Sequence, residues 1–148
     1  MIYDANTREL FIYDDIGPKW AGMIDAETVK YSLAQLGPGD IALRINSYGG
    51  AVDEALAMIE VLGRHNGNVS VTIDSIAASA ASLFGAVFPA TIASHARVMI
   101  HNPWGVGIGN AESMRKLAGV LDLYGDSLIS VYARTMKHSP EEIKALMD

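Results

Sequence analysis

The sequence contains no cysteine. That excludes a disulfide framework, a thiol nucleophile and any thiolate metal site, and it fits a reducing compartment. Charge is also sparse, at 19% of residues, and it is not basic: 11 Lys and Arg stand against 17 Asp and Glu, a net charge of -6. Nucleic-acid binders carry the opposite balance or a dense basic stripe. Neither occurs, so nucleic acid is not an expected partner. The start, Met1-Ile2-Tyr3-Asp4-Ala5, has no basic stretch leading into an apolar run. No signal peptide is therefore expected. Repeats, low-complexity tracts and linkers are lacking as well.

What the chain does have is apolar residues, at 50% of 148 positions. This excludes intrinsic disorder. A single domain is expected, large enough to bury roughly 68–70% of its unfolded surface. One stretch could be mistaken for a membrane span, because residues 75–94 carry no charge over 20 positions. Ser79, Ser82, Gly85, Pro89 and Thr91 interrupt its alanines and weaken insertion. The reading is a buried, Ala-rich helix in a soluble core, with no membrane partner.

Periodicity and turn signals then divide the chain. Residues 9–13, rich in aromatic and β-branched side chains, predict a strand ended by Gly17-Pro18. Residues 25–36 predict a helix capped by Asp25, with Val29, Leu33 and Leu36 at helical spacing. A turn at 37–40, a strand at 41–45 and a loop at 46–50 follow. Residues 52–64 form the next expected helix, with Ala55, Met58, Ile59 and Leu62 on one face. A strand at 69–73 leads into the Ala-rich helix, and strand segments follow at 91–93 and 97–100. A Gly-rich loop spans 103–109, and a long helix spans about 111–136. Ser139 reads as an N-cap, with Pro140 next and Glu142 three residues on. Strands alternating with helices, each strand a nearly continuous apolar run, predict an α/β fold with a largely parallel, covered sheet.

Catalysis needs a nucleophile or base, a partner to tune it, and donors for developing charge. Without cysteine the nucleophile is Ser, Thr or Lys. Ser79 follows strand 69–73 near the start of the expected helix, where free N–H groups and a positive dipole suit an oxyanion. A small helical serine bonding its own turn is the plain alternative. Of four histidines, His65, His95 and His138 fall in polar turns or loops and read as surface residues. His101 ends an apolar strand and precedes Asn102-Pro103, and sites in α/β sheets gather at the carboxyl ends of strands. Gly49-Gly50 follows a third strand end, where a backbone N–H without a side chain is open to approach. The phosphate-loop spacings are absent.

These residues carry a resemblance. The sequence reads Ile45-Asn46-Ser47-Tyr48-Gly49-Gly50, then Ser75-Ile76-Ala77-Ala78-Ser79-Ala80-Ala81-Ser82, then Ala96-Arg97-Val98-Met99-Ile100-His101-Asn102-Pro103. It is similar over about residues 8–148 to the Clp protease proteolytic subunit (ClpP) family, serine peptidases of the ClpP/crotonase superfamily. That family shows N-S-P-G-G, then G-x-A-A-S-M/A, then R-V-M-I-H-x-P, in the same order. The finer likeness is to its phage and prophage branch, which includes prohead (head-maturation) proteases. That likeness lies in residues 12–17, in His101-Asn102-Pro103-Trp104, in Gly109-Asn110-Ala111, and in Tyr132-Ala133-Arg134 ahead of Glu142-Ile143 and Leu146-Met147-Asp148.

The resemblance implies a spiral of β-α units with a long handle helix, residues 111–136, through which copies associate into a homo-oligomer, a ring in this family. It implies Ser79 as nucleophile and His101 as general base, with Gly50 and Ala80 N–H groups as the oxyanion hole. Gly50-Ala51-Val52 and Trp104-Gly105-Val106 would flank an extended polypeptide substrate and pair with it as strands. No cofactor or metal is implied; ATP would belong to a partner unfoldase. The implied location is cytoplasmic, in the host cytosol or an assembling prohead. Three departures stand out. Ser75 replaces a family Gly, Tyr48 replaces a Pro, and the family's third catalytic residue, an Asp beyond the handle, falls near where the sequence stops. Asp148 is the candidate for it, and the chain is expected to lack the family's C-terminal segment. Two other readings stay open: a non-catalytic ClpP-fold assembly protein, and a crotonase-type acyl-CoA enzyme.

Overall fold

The apolar strands pair into one six-stranded sheet. The computed structural model describes residues 2–148, which fall into two compact units, one ending at Met99 and one running from Ile100 to Asp148. The first unit contains β1 (Tyr3–Asp4), β2 (Glu9–Ile12), α1 (Ala26–Leu36), β3 (Ile41–Ser47), α2 (Val52–Gly63), β4 (Val69–Ala78), α3 (Ser82–Val87), β5 (Ala90–Ile92) and β6 (Arg97–Met99). Strand order is β1-β2-β3-β4-β5, and β6 also pairs with β4. Only β1 is antiparallel to its neighbour. Strand β4 is long enough to hold two successive partners, β5 along 71–73 and β6 along 76–78.

The expected helix faces form the core. Asp25 caps α1 by accepting the Thr28 N–H at 2.8 Å. Val29, Leu33 and Leu36 of α1 are buried, as are Ala55, Met58, Ile59 and Leu62 of α2. Leu10, Ile12, Leu43, Ile45, Val71 and Ile73 supply the sheet's inner face. Removing this apolar surface from water drives the fold.

Four expectations change. The first concerns the Ala-rich stretch ahead of the strand expected at 91–93, which is not one helix. Strand β4 runs on to Ala78, a 3₁₀ turn covers Ser79–Ala81, helix α3 takes only Ser82–Val87, and β5 begins at Ala90. Alanine favours helix locally, but Ile76, Ala77 and Ala78 pair with Arg97, Val98 and Met99 on one side, and Ala77 pairs with Ser47 on the other. Ladder bonds from both sides override the local preference. Second, β3 continues through Asn46 and Ser47 across a register shift, where a loop was expected. Third, the sheet is covered on one face only. Residues along β3 alternate buried and half-buried, and β5 and β6 are exposed. Fourth, His65 is half-buried rather than a surface residue, its Nε2 lying 2.7 Å from the Gly39 carbonyl.

The open face carries a polar network. The Arg44 guanidinium bonds both Asp74 carboxylate oxygens, its Nε at 2.9 Å, and lies 3.5 Å from Glu9. The Tyr13 hydroxyl donates to Asp74 at 2.5 Å. Burial would push the Asp74 carboxyl up, but the Arg44 and Tyr13 hydrogen bonds outweigh it and hold the group below its ordinary value. Burial and the Asp74 charge both push the Tyr13 hydroxyl up.

The second unit contains α4 (Ala111–Met136) and α5 (Pro140–Met147). Both helices start where the sequence signals them. Asn110 accepts the Ser113 N–H, and Ser139 and Glu142 form a capping box ahead of Pro140. Glycines 105, 107 and 109 lie along α4; a Cβ on Gly107 would stand 2.5 Å from Leu117 Cδ2. The alternating Trp104, Val106 and Ile108 are exposed. No helix among the described residues is long and apolar enough to cross a membrane.

Candidate active site

The turn after β4 holds a strained backbone. Ser79 has φ +54°, a left-handed conformation rare for a residue with a side chain. It sits between the last ladder residue, Ala78, and the turn into α3. Such a strand-to-helix elbow projects a side chain clear of the sheet, and strain of this kind collects at functional sites. Ser79 is half-buried, and Ala80 beside it is buried.

The double glycine lies against this elbow. Gly49 has φ +95° and Gly50 φ +140°. A Cβ on Gly49 would stand 2.5 Å from the Ala78 carbonyl oxygen and 2.8 Å from both Ala80 N and Ser79 Cβ. Only glycine permits this approach. On the other side, Ile16 donates its N–H to the Gly49 carbonyl at 2.7 Å and accepts the Ala51 N–H at 2.8 Å. In a parallel pairing the residue between those two bonds turns its own N–H and carbonyl to the opposite edge. Gly50 is that residue, so its N–H points away from Ile16. Ser79, Ala80, Gly49 and Gly50 are thus assembled within one unit. Ala51 caps α2 and Val52 begins it.

His101, Trp104, Gly105 and Asp148 belong to the second unit. His101 is half-buried, in the segment entering that unit. Its neighbour Asn102 is tied to the end of α5: the Asn102 N–H donates to the Met147 carbonyl at 3.0 Å, and its side-chain amide donates to the Asp148 carboxylate at 2.6 Å. Trp104 is exposed. Among the described residues no group of three His, Asp or Glu side chains converges as metal ligands would.

The sequence reading missed Ile16 and two buried hydroxyls. Ser47 accepts the Gly49 N–H at 3.1 Å, and Ser82 donates to the Ser79 carbonyl at 2.6 Å. Their only signal was adjacency to the Gly-Gly and Ser79 motifs.

A family model described as Clp protease matches residues 3–148. The chain belongs to the Clp protease family. Similar curated Clp family proteins include two named ATP-dependent Clp protease proteolytic subunit, from two strains of Bacteroides fragilis. Each is 29% identical over 130 residues, 85% of this chain. The chain spans 62% and 58% of their lengths. Among solved structures, a mutant of ClpP1 from Listeria monocytogenes matches 97% of this chain and 81% of its own, with a TM-score of 0.83 and 23% identity. The Clp fold, a mixed α/β sheet with a long helix, is therefore this chain's fold.

Proposed function

We propose that this Clp family chain is a serine endopeptidase. The observation that carries the reading is the left-handed Ser79 elbow with Gly49 packed against it. In the scheme, the Ser79 hydroxyl attacks a peptide carbonyl while His101 takes its proton. The Gly50 and Ala80 N–H groups hold the resulting oxyanion. His101 then protonates the leaving amine, and water, activated the same way, releases the acyl group. Ala51, Val52, Trp104 and Gly105 flank the extended substrate. Asp148 is the third-member candidate. Its bond to Asn102, next to His101 in the chain, supports a role in steadying the segment that carries the base. Neither metal nor nucleotide enters the scheme.

Treating the protein with a fluorophosphonate tests this. Ser79 is expected to be labelled, with Ser79→Ala and His101→Ala unlabelled. No label at Ser79, together with no cleavage of any peptide, defeats the peptidase reading and leaves the assembly protein. Turnover of an acyl-CoA thioester without peptide cleavage would favour the crotonase-type enzyme.

The finer reading is a prohead protease that cleaves capsid or scaffold proteins as a ring of copies in the host cytosol. Its support is the set of sequence likenesses at 12–17, 101–104 and 132–134. Incubation with a procapsid scaffold protein should yield defined fragments that the Ser79→Ala protein does not produce.

A further inference from the structure

Among the described residues, the small polar side chains buried in the core are three serines, Ser32, Ser47 and Ser82. A buried hydroxyl costs stability unless it is bonded, so its placement is informative. Ser32 makes the ordinary helical bond, donating to the Thr28 carbonyl four residues back in α1. The other two meet the candidate site. Ser82 donates to the Ser79 carbonyl at 2.6 Å, and the Ser82 N–H donates to the same oxygen. That carbonyl belongs to the residue at φ +54°, so both bonds clamp the peptide unit leaving the strained elbow. Ser47 accepts the Gly49 N–H at 3.1 Å, across the residue that opens the double-glycine turn. Gly49 in turn packs on Ala78, Ser79 and Ala80.

We infer that Ser82 and Ser47 are paired positioning residues. One hydroxyl holds the nucleophile's elbow, and the other holds the loop that presents the Gly50 N–H. The inference deepens the peptidase reading and rests on it. Both hydroxyls act through backbone, so their loss displaces the nucleophile and an oxyanion donor without touching substrate. An oxyanion donor is effective only when it is preorganised at the point where charge develops.

The test compares wild type with Ser82→Ala, Ser47→Ala, the hydroxyl-keeping Ser82→Thr and Ser47→Thr, and the control Ser32→Ala. For each, kcat and KM are measured on a fluorogenic peptide that wild type cleaves, beside Tm and the rate of fluorophosphonate labelling. Expected for each alanine variant at 47 and 82 is a kcat loss of about tenfold or more, KM within about twofold, and labelling slowed in step. Threonine at either position should recover most of kcat. Ser32→Ala should lower Tm comparably and leave kcat unchanged. Retention of wild-type kcat by Ser82→Ala and Ser47→Ala overturns the inference while the peptidase stands. So does a loss that Ser32→Ala reproduces, or one that threonine fails to recover despite an unchanged Tm. A wild-type protein that takes no label at Ser79 and cleaves nothing overturns the peptidase reading, and the pairing with it.

Discussion

Gly50 shows how tightly single residues are set here. It has φ +140°, and a Cβ there would lie 2.0 Å from the Ile16 carbonyl oxygen. An alanine must either move Ile16 or abandon the conformation. That oxygen also accepts the Ala51 N–H, so Ile16 cannot move without losing the bond. Gly50→Ala should therefore destabilise the protein by about 1–3 kcal/mol, the usual strain at such backbone positions. It should also lower kcat at least about 100-fold, the scale for losing one oxyanion donor. Chemical denaturation and peptide turnover measure the two effects separately. Full activity would remove Gly50 from the oxyanion role. The same crowding explains Gly49, whose neighbours are the backbone and Cβ of the elbow itself.

Among elements, β4 is decisive. It pairs with β3 along one edge and with β5 and then β6 along the other, and it ends at Ala78, one residue before Ser79. Its Asp74 is tied across the open face to Arg44 on β3 and to Tyr13, just past β2. Because the folded Asp74 carboxyl is held below its ordinary value of about 3.9, it stabilises the fold fully above that pH. The contribution is lost as pH falls through the lower, folded value. Wild type should accordingly lose Tm more steeply below about pH 4 than Asp74→Asn does, while Asp74→Asn has the lower Tm at pH 7. Parallel pH-dependent melts check this, and identical slopes would show that the network contributes no pH dependence. In the second unit α4 poses a different question. Its interior turns bury Gly125, Leu128 and Tyr132, while Met114, Val120 and Leu123 stay exposed.

For the whole molecule, the exposed neighbours Val120 and Leu123 bear on assembly. Apolar side chains left in water on a long helix favour contact between copies. Light scattering of the native protein should give a mass of several chains, and Val120→Glu with Leu123→Glu should reduce it. Far-UV circular dichroism should not change, because neither side chain is buried. An unchanged mass would take Val120 and Leu123 out of the interface. A six-stranded sheet in one unit and a helical pair in the other leave the proposed nucleophile and the proposed base on different units.

Much of this was legible from residue order. Apolar spacing marked α1, α2 and α4 because each helix buries one face at a period of 3.6 residues. Asp25, Ser139 and Glu142 marked helix starts because caps act within a turn of themselves. The Gly-Gly, Ser and His motifs pointed to one family for the same reason: each is a short local arrangement. Tertiary structure alone decided the rest. Residues 76–78 are strand because partners distant in sequence supply their ladder bonds, and no local preference encodes a distant partner. The packing of Gly49 on Ser79, the clamp of Ile16 on Gly49 and Ala51, and the burial of Ser47 and Ser82 likewise arise only when separate segments meet. The sequence by itself determined which residues could do chemistry; the meeting of β3, β4 and the Ile16 segment decided how they are held.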